Sequence, residues 1–275
     1  MSNYSKATGG PTTATPPLMA GKRGLVMGVA NDHSIAWGIA DHLHRHGAEL
    51  AFTYQNDALG RRVQPLASSV GSGIVVPCDA SEPGSIKAAF DFVSDHWPRI
   101  DFVVHAIAYS DKEELNGKYI DTSRENFIRT LDISCFSFTE VAQRAAPLMP
   151  DGGSLLTLTY DGSQRVMPNY NVMGVAKAAL EASVQYLATD LGGQGVRVNA
   201  ISAGPMRTLA GSAIGGARFV YKWQGENAPL RRHVAHEDIG GAGVYLLSDL
   251  SAAVTGETLY VDCGYHIVGM AATPA

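Results

Sequence analysis

Apolar residues fall along this chain in two rhythms: short near-continuous runs, and longer stretches with apolar positions three or four apart. The short runs occupy residues 24–28, 48–54, 74–78, 101–108, 154–160, 196–202 and 258–262. Runs of that length, rich in valine, isoleucine and aromatics, read as strands. The helical rhythm covers 34–46, 57–70, 82–96, 124–148, 171–191 and 236–248, and 206–229 is the least regular stretch. Strands alternating with helices pair in parallel through right-handed crossovers. Strands this apolar lie in a sheet covered on both sides. The expected fold is one α/β domain, a doubly wound parallel sheet with helices on both faces, with no repeat and no internal linker.

Composition agrees with a large buried sheet: of 275 residues, 45% are hydrophobic and 17% charged. A net charge of −5 argues against nucleic acid as a general partner, because such binding rests on positive charge facing phosphates. No apolar run reaches membrane-spanning length. Cys78, Cys135 and Cys263 are far apart, with no CxxC spacing. That argues against a disulfide scaffold or a zinc site, so no metal is expected, and it fits a reducing cytoplasm. Residues 1–20 are rich in Ser, Thr, Pro and Gly and lack a signal peptide's apolar core. They are expected to be a disordered leader with no part in the fold, followed by a domain over 21–270 and a tail at 271–275.

Ligands of such folds sit at the carboxyl ends of the strands. After the first run comes Gly28-Val-Ala-Asn-Asp-His-Ser34-Ile35-Ala-Trp-Gly38. A glycine there lets the backbone turn toward a pyrophosphate, and the next helix offers free amides and partial positive charge. Ser34 suits a helix cap or a phosphate contact. Two glycines of GxGxxG are absent, so an ordinary strand-to-helix turn explains the segment about as well as a Rossmann-type site. The second strand ends in Tyr54-Gln55-Asn56-Asp57, with no adjacent cation for a 2′-phosphate, which favours NADH over NADPH. Gln55 can hydrogen-bond the adenosine end. Asp79, followed by Ala80, can bind an adenine amino group or cap the next helix.

Tyr170, Met173 and Lys177 stand at i, i+3 and i+7, which places them on one face of a helix. Such a lysine can hold a cofactor ribose, and such a phenol can hydrogen-bond a developing oxyanion. Surface residues on an amphipathic helix show the same spacing. Tyr160 and Pro168-Asn-Tyr170-Asn-Val-Met-Gly-Val-Ala-Lys177, followed by Gly195-Val-Arg-Val-Asn-Ala-Ile-Ser-Ala-Gly-Pro205-Met206-Arg207-Thr208-Leu209, carry more. With them the chain resembles the type I bacterial enoyl-[acyl-carrier-protein] reductases, a divergent branch of the short-chain dehydrogenase/reductase family. The resemblance runs from about residue 21 to residue 270.

The resemblance implies a Rossmann-type fold, NADH as cofactor, and reduction of the trans-2 double bond of an enoyl thioester on acyl carrier protein during fatty-acid elongation. It makes Tyr160, Tyr170 and Lys177 the catalytic residues, with Lys177 on the nicotinamide ribose. It places Gly28, Ser34, Ile35, Gln55, Asp79, Ala80, Ile107, Met206, Arg207, Thr208, Leu209 and Ala210 on the cofactor. Ser110, Tyr160, Tyr170 and Met173 fall near the substrate. Similar enzymes carry Ser-Ile-Gly where this chain has Ala106-Ile107-Ala108, which implies a narrower pocket. His105 reads as packed in its strand, and Thr208 as a cofactor contact or a helix cap. Residues 210–222 read as a lid, Arg218, Lys222, Arg231 and Arg232 as a landing for the acidic carrier, and the last strand, with Cys263, as subunit contact in a homotetramer.

Ordinary short-chain dehydrogenases carry Tyr-x-x-x-Lys with a serine about thirteen residues before the tyrosine. Here those positions hold Met173 and Tyr160, and the candidate phenol has moved back almost a turn, to Tyr170. A displaced hydroxyl suits negative charge on a thioester oxygen better than charge on the carbon's own ketone oxygen. A 3-oxoacyl or alcohol dehydrogenase and a non-catalytic dinucleotide sensor are the competing readings.

Overall fold

The computed structural model describes residues 17–212 and 215–270. Its strands are β1 (Arg23–Met27), β2 (Glu49–Tyr54), β3 (Val75–Pro77), β4 (Phe102–His105), β5 (Gly153–Thr159), β6 (Val196–Ala203) and β7 (Thr258–Val261). All neighbours pair in parallel in the order β3-β2-β1-β4-β5-β6-β7. The doubly wound sheet expected from the alternation is therefore present, and its strand order reverses between β1 and β4. That reversal opens a crevice at the carboxyl ends of the strands.

The helices are α1 (Ile35–Arg45), α2 (Asp57–Ser69), α3 (Ser85–His96), α4 (Lys112–Leu115), α5 (Arg124–Leu131), α6 (Ser137–Ala145), α7 (Asn171–Gly192), α8 (Leu209–Ser212), α9 (Ala217–Asn227) and α10 (His236–Leu247). One core joins α1, α2 and α10 to the sheet through Ile39, Leu43, Val63 and Leu247. The other joins α3, α6 and α7 to the opposite face through Phe90, Phe138, Leu180 and Val184. Two layers of helix over one sheet follow from strands that are apolar on both sides.

Three expectations are corrected. The helix over 124–148 is interrupted: α5 passes through a π-helical turn, Asp132–Phe136, into α6, and a 3-10 turn ends it at Ala146–Leu148. The stretch 206–229 is not irregular, since it holds α8 and α9; glycines at 211, 215, 216 and 225 and the aromatics of α9 hide the helical rhythm. The leader does take part in the fold at its end. Met19 is fully buried, and its amide donates to the His46 carbonyl at 2.9 Å. Residues 1–16 of that leader and the tail at 271–275 lie outside the described residues. Met19→Ala is expected to cost about 2–3 kcal/mol of stability, the usual result of emptying a buried methionine site. Urea denaturation checks it, and an unchanged midpoint would show that the segment adds nothing.

Candidate active site

The carboxyl ends of β1, β4, β5 and β6 converge on one cleft of about 1460 Å³. Gly28, Ala106 to Ala108, Leu158 to Tyr160 and Ala203 to Met206 line it, one group from each strand end. Gly28 has φ +94°, and a Cβ on it would lie 2.1 Å from the Ala106 carbonyl oxygen. Glycine is therefore required where β1 leaves the sheet beside β4, so that the turn can enter α1. Ser34 and Ile35 line the same end of the cleft. Ser34 stands at the N-cap position of α1, yet its hydroxyl caps nothing: it accepts from the amides of Ala30 and Asn31 at 3.0 and 3.1 Å. It shapes the loop, and the α1 N-terminus is left facing the cleft.

The loop after β4 is tied down from behind. Ser134, in the π-helical turn, donates to the Tyr109 carbonyl and accepts from its amide, both at 3.0 Å. Beneath the loop, His105 is fully buried between Thr157 Oγ1 (3.0 Å) and Ser137 Oγ (2.8 Å). Burial, and after it the charge of Lys177, pushes its pKa down to about 3. His105 is thus a neutral packing residue, as its place in the strand suggested.

Lys177 lies two turns into α7, 6% exposed, and its ammonium donates to the Leu158 carbonyl at 2.8 Å at the cleft wall. Burial pushes its pKa down to about 8. Tyr170 is not within the helix but at its N-cap position, with φ −107°. Its neighbours Asn169 and Asn171 both take left-handed conformations, φ 57° and 36°, which asparagine tolerates better than most residues. Their side chains secure the corner. Asn171 Nδ2 donates to the Leu115 carbonyl at 3.0 Å, and Asn169 Nδ2 to that of Gly215 at 2.9 Å.

The rings of Tyr160 and Tyr170 meet edge-to-face, with centroids 5.2 Å apart. Burial raises the pKa of both phenols, so they remain protonated donors through the neutral range. The Tyr160 hydroxyl is buried and has no hydrogen-bond partner among the described residues. Two protonated phenols and an ammonium in one cleft wall form a donor set for an anionic oxygen.

Other expected site residues divide. Ile107, Met206, Arg207, Thr208 and Leu209 line the cleft, and Arg207 stacks over the Tyr221 ring at 4.6 Å. Ala210 continues α8. Thr208 also caps that helix, its Oγ1 accepting from the Gly211 amide at 2.9 Å. Gln55, Asp79 and Ala80 stand outside the cleft wall, at the ends of β2 and β3. Gln55 Nε2 donates to Asp79 at 3.1 Å. Asp79 does not cap α3, which begins after Gly84; its carboxylate accepts from the Ser81 amide and hydroxyl. Burial raises its pKa, but the hydrogen bonds from Ser81 and Gln55 outweigh that and leave it lowered. Ser110 is engaged by Thr130 and Asn126 at 2.9 and 3.2 Å and is not in the wall. Met173 is 7% exposed and packs with Tyr170, Val172 and Leu115 behind the wall. Sequence reasoning missed Asn169, Asn171 and Glu181. The only local signal was a glutamate one turn after Lys177 in an apolar stripe.

The cleft fits a dinucleotide: a glycine turn into a helix N-terminus at one end, a buried ammonium and an unpartnered phenol at the other. Comparison with known proteins agrees. Residues 28–266 match the family described as Enoyl-(Acyl carrier protein) reductase. Enoyl-[acyl-carrier-protein] reductase [NADH] 2 of Rhizobium meliloti (strain 1021) is 65% identical over 253 residues, 92% of this chain and 94% of that protein. The crystal structure of FabI from Candidatus Liberibacter asiaticus is 57% identical, with a TM-score of 0.92 over 94% of this chain and 100% of that one. The enoyl-(acyl-carrier-protein) reductase of Anaplasma phagocytophilum, solved in complex with NAD, is 55% identical, with a TM-score of 0.91 over 94% of this chain and 99% of that one. The chain belongs to the enoyl-(acyl carrier protein) reductase family.

Proposed function

We propose that this protein reduces the trans-2 double bond of an enoyl thioester carried on acyl carrier protein, with NADH as reductant. The observation that carries this reading is the pair of protonated phenols, Tyr160 and Tyr170, in one wall with Lys177, while Met173 occupies the position a ketone reductase gives to tyrosine. Gly28, Ser34, Ile35, Ile107, Lys177 and the run from Met206 to Ala210 would hold the cofactor along the strand ends. When bound, NADH supplies a hydride to C3 of the substrate. Tyr170 donates to the thioester oxygen as negative charge gathers there, and Tyr160, buried and unpartnered, adds a second donor. Lys177 holds the ribose side of the cleft and favours that negative charge. Protonation at C2 then gives the saturated chain. The charged Asp79 beside Gln55 supports NADH over NADPH, because a 2′-phosphate there would meet a carboxylate.

Of the four cations expected to receive the carrier, Arg232 is paired with Asp238 and Lys222 with Glu226 (3.7 Å), and Arg231 donates to the Glu226 carbonyl. Arg218 and Lys222, both at the cleft edge on α9, are the cations we assign to the carrier. The lid we assign over 210–222 takes in most of α8 and the first half of α9, and residues 213 and 214 of it lie outside the described residues. Exposed Ile128, Phe136 and Tyr186 on α5 to α7, with the edge strand β7, support a homotetramer. No described helix is long and apolar enough to cross a membrane; the cytoplasmic location we assign rests on the three free cysteines, which suit a reducing compartment.

The deciding assay follows NADH oxidation with crotonyl and acetoacetyl thioesters. Turnover on the first and not the second is expected; preference for the second would favour a 3-oxoacyl reductase, and binding without turnover on either a sensor. The buried Lys177 gives a pH prediction. Its charged form is lost as pH rises through about 8, so NADH affinity of the free enzyme falls across that window. Titration of NADH fluorescence from neutral to alkaline pH checks this, and the Lys177→Met variant should show a weak, flat profile.

A further inference from the structure

Glu181 lies on the buried stripe of α7 with Leu180, Val184 and Ala188, and it is only 8% exposed. A buried carboxylate needs donors to replace water. Lys177, one turn earlier, does not serve, since its ammonium is directed at the Leu158 carbonyl. The donors come instead from the end of β5 and the turn after it. Thr159 Oγ1 and Ser163 Oγ donate to Glu181 Oε1 at 2.6 and 2.5 Å, and Gln164 Nε2 donates to Oε2 at 2.6 Å.

These three attachments bracket the segment that carries Tyr160. Between them lies Gly162, whose Cβ, were there one, would stand 2.4 Å from the Tyr170 ring and 3.2 Å from that of Tyr160. On the other side, the Gly162 carbonyl abuts Gly174 of α7, where a Cβ would approach it to 2.7 Å. The backbone of this turn is therefore the surface on which both phenol rings rest. Anything that lets the turn move changes the placement of both hydroxyls.

We infer that Glu181 is a positioning residue: its carboxylate fixes the 159–164 turn to α7 and thereby sets the geometry of the Tyr160–Tyr170 pair. This rests on the reading that those phenols serve the thioester oxygen. Glu181 does not line the cleft. Its effect is on orientation, where small displacements are costly to rate.

The test uses the full-length protein and three variants. Glu181→Leu keeps volume but leaves the three donors without their acceptor. Glu181→Gln keeps Oε1 for the two hydroxyls, and the Gln164 amide can turn to accept from the new amide. Ser163→Ala with Gln164→Met removes donors from the turn and leaves the helix intact, which covers the case that Glu181→Leu does not fold. The readouts are amide exchange of residues 160–164, kcat on crotonyl thioester, and NADH affinity at mildly acidic pH, where Lys177 stays charged. The expected result for Glu181→Leu and for the donor double variant is faster exchange in the turn and a kcat about tenfold to a hundredfold lower. NADH affinity should stay near that of the unmodified protein, and Glu181→Gln should restore most of both properties. Wild-type exchange and kcat in a folded Glu181→Leu or donor variant would overturn the inference. So would equal losses of kcat and NADH affinity with unchanged exchange. Full turnover in a Tyr170→Phe control would point instead to failure of the phenol reading, whatever the exchange shows.

Discussion

Replacing Tyr170 with phenylalanine lowers kcat on an enoyl thioester by about 10²–10³-fold, the usual loss when one oxyanion donor is removed. The expectation follows from where the ring sits. Tyr170 is 7% exposed, packs edge-to-face on Tyr160 and covers Gly162. Phenylalanine keeps all of that packing, so folding and NADH affinity are expected to hold while turnover falls. The hydroxyl makes no hydrogen bond within the described residues that its loss would break. Steady-state kinetics beside urea denaturation separate the two effects. Unchanged turnover would mean that the thioester oxygen is met by another donor, with Tyr160 the first to examine.

Gly28→Ala is expected to destabilise the fold by about 3–5 kcal/mol, combining the cost of a left-handed non-glycine residue with that of overpacking. The new Cβ would approach the Ala106 carbonyl oxygen to 2.1 Å, and that atom belongs to backbone at the end of β4. Neither neighbour can yield without parting β1 from β4, whose register runs from Gly24–Phe102 to Met27–His105. The same movement would disturb the turn into α1 and the Ala106–Ala108 wall, so NADH binding should fail before the chain unfolds completely. Denaturation midpoints and NADH titration at low temperature measure both. A variant of normal stability would show that the turn relaxes locally.

The fold was legible because its signal is local and repeated. Strands such as β1 and β4 are apolar on both faces, and the helices between them keep their period, so the alternation alone leads to the parallel sheet. Lys177 and the phenols were legible from spacing together with a long resemblance. What escaped has a non-local cause. Met19 reads as part of a polar leader until His46 is brought beside it. The helix α9 is hidden by its aromatics and by Gly225, and the Tyr221–His233 stack that holds it to the loop beyond is a tertiary feature. Ser34 looked like a cap because it stands where caps stand, yet its hydroxyl turns back to Ala30 and Asn31. Counting along the chain puts Tyr170 on the helix face, whereas two left-handed asparagines hold it at the corner before the first turn. Glu181 was passed over because its partners lie in the turn after another strand, out of reach of any window along the chain.

The most direct test of the proposed chemistry is isotopic. Crotonyl thioester is reduced with NADH deuterated at both C4 positions, and in a parallel run with unlabelled NADH in heavy water, and the products are read by mass spectrometry and NMR. The predicted outcome is butyryl product with one deuterium at C3 from the labelled cofactor and, in the heavy-water run, one deuterium at C2 from solvent. Cofactor deuterium at C2, or a product in which the double bond survives and another group is reduced, would contradict it.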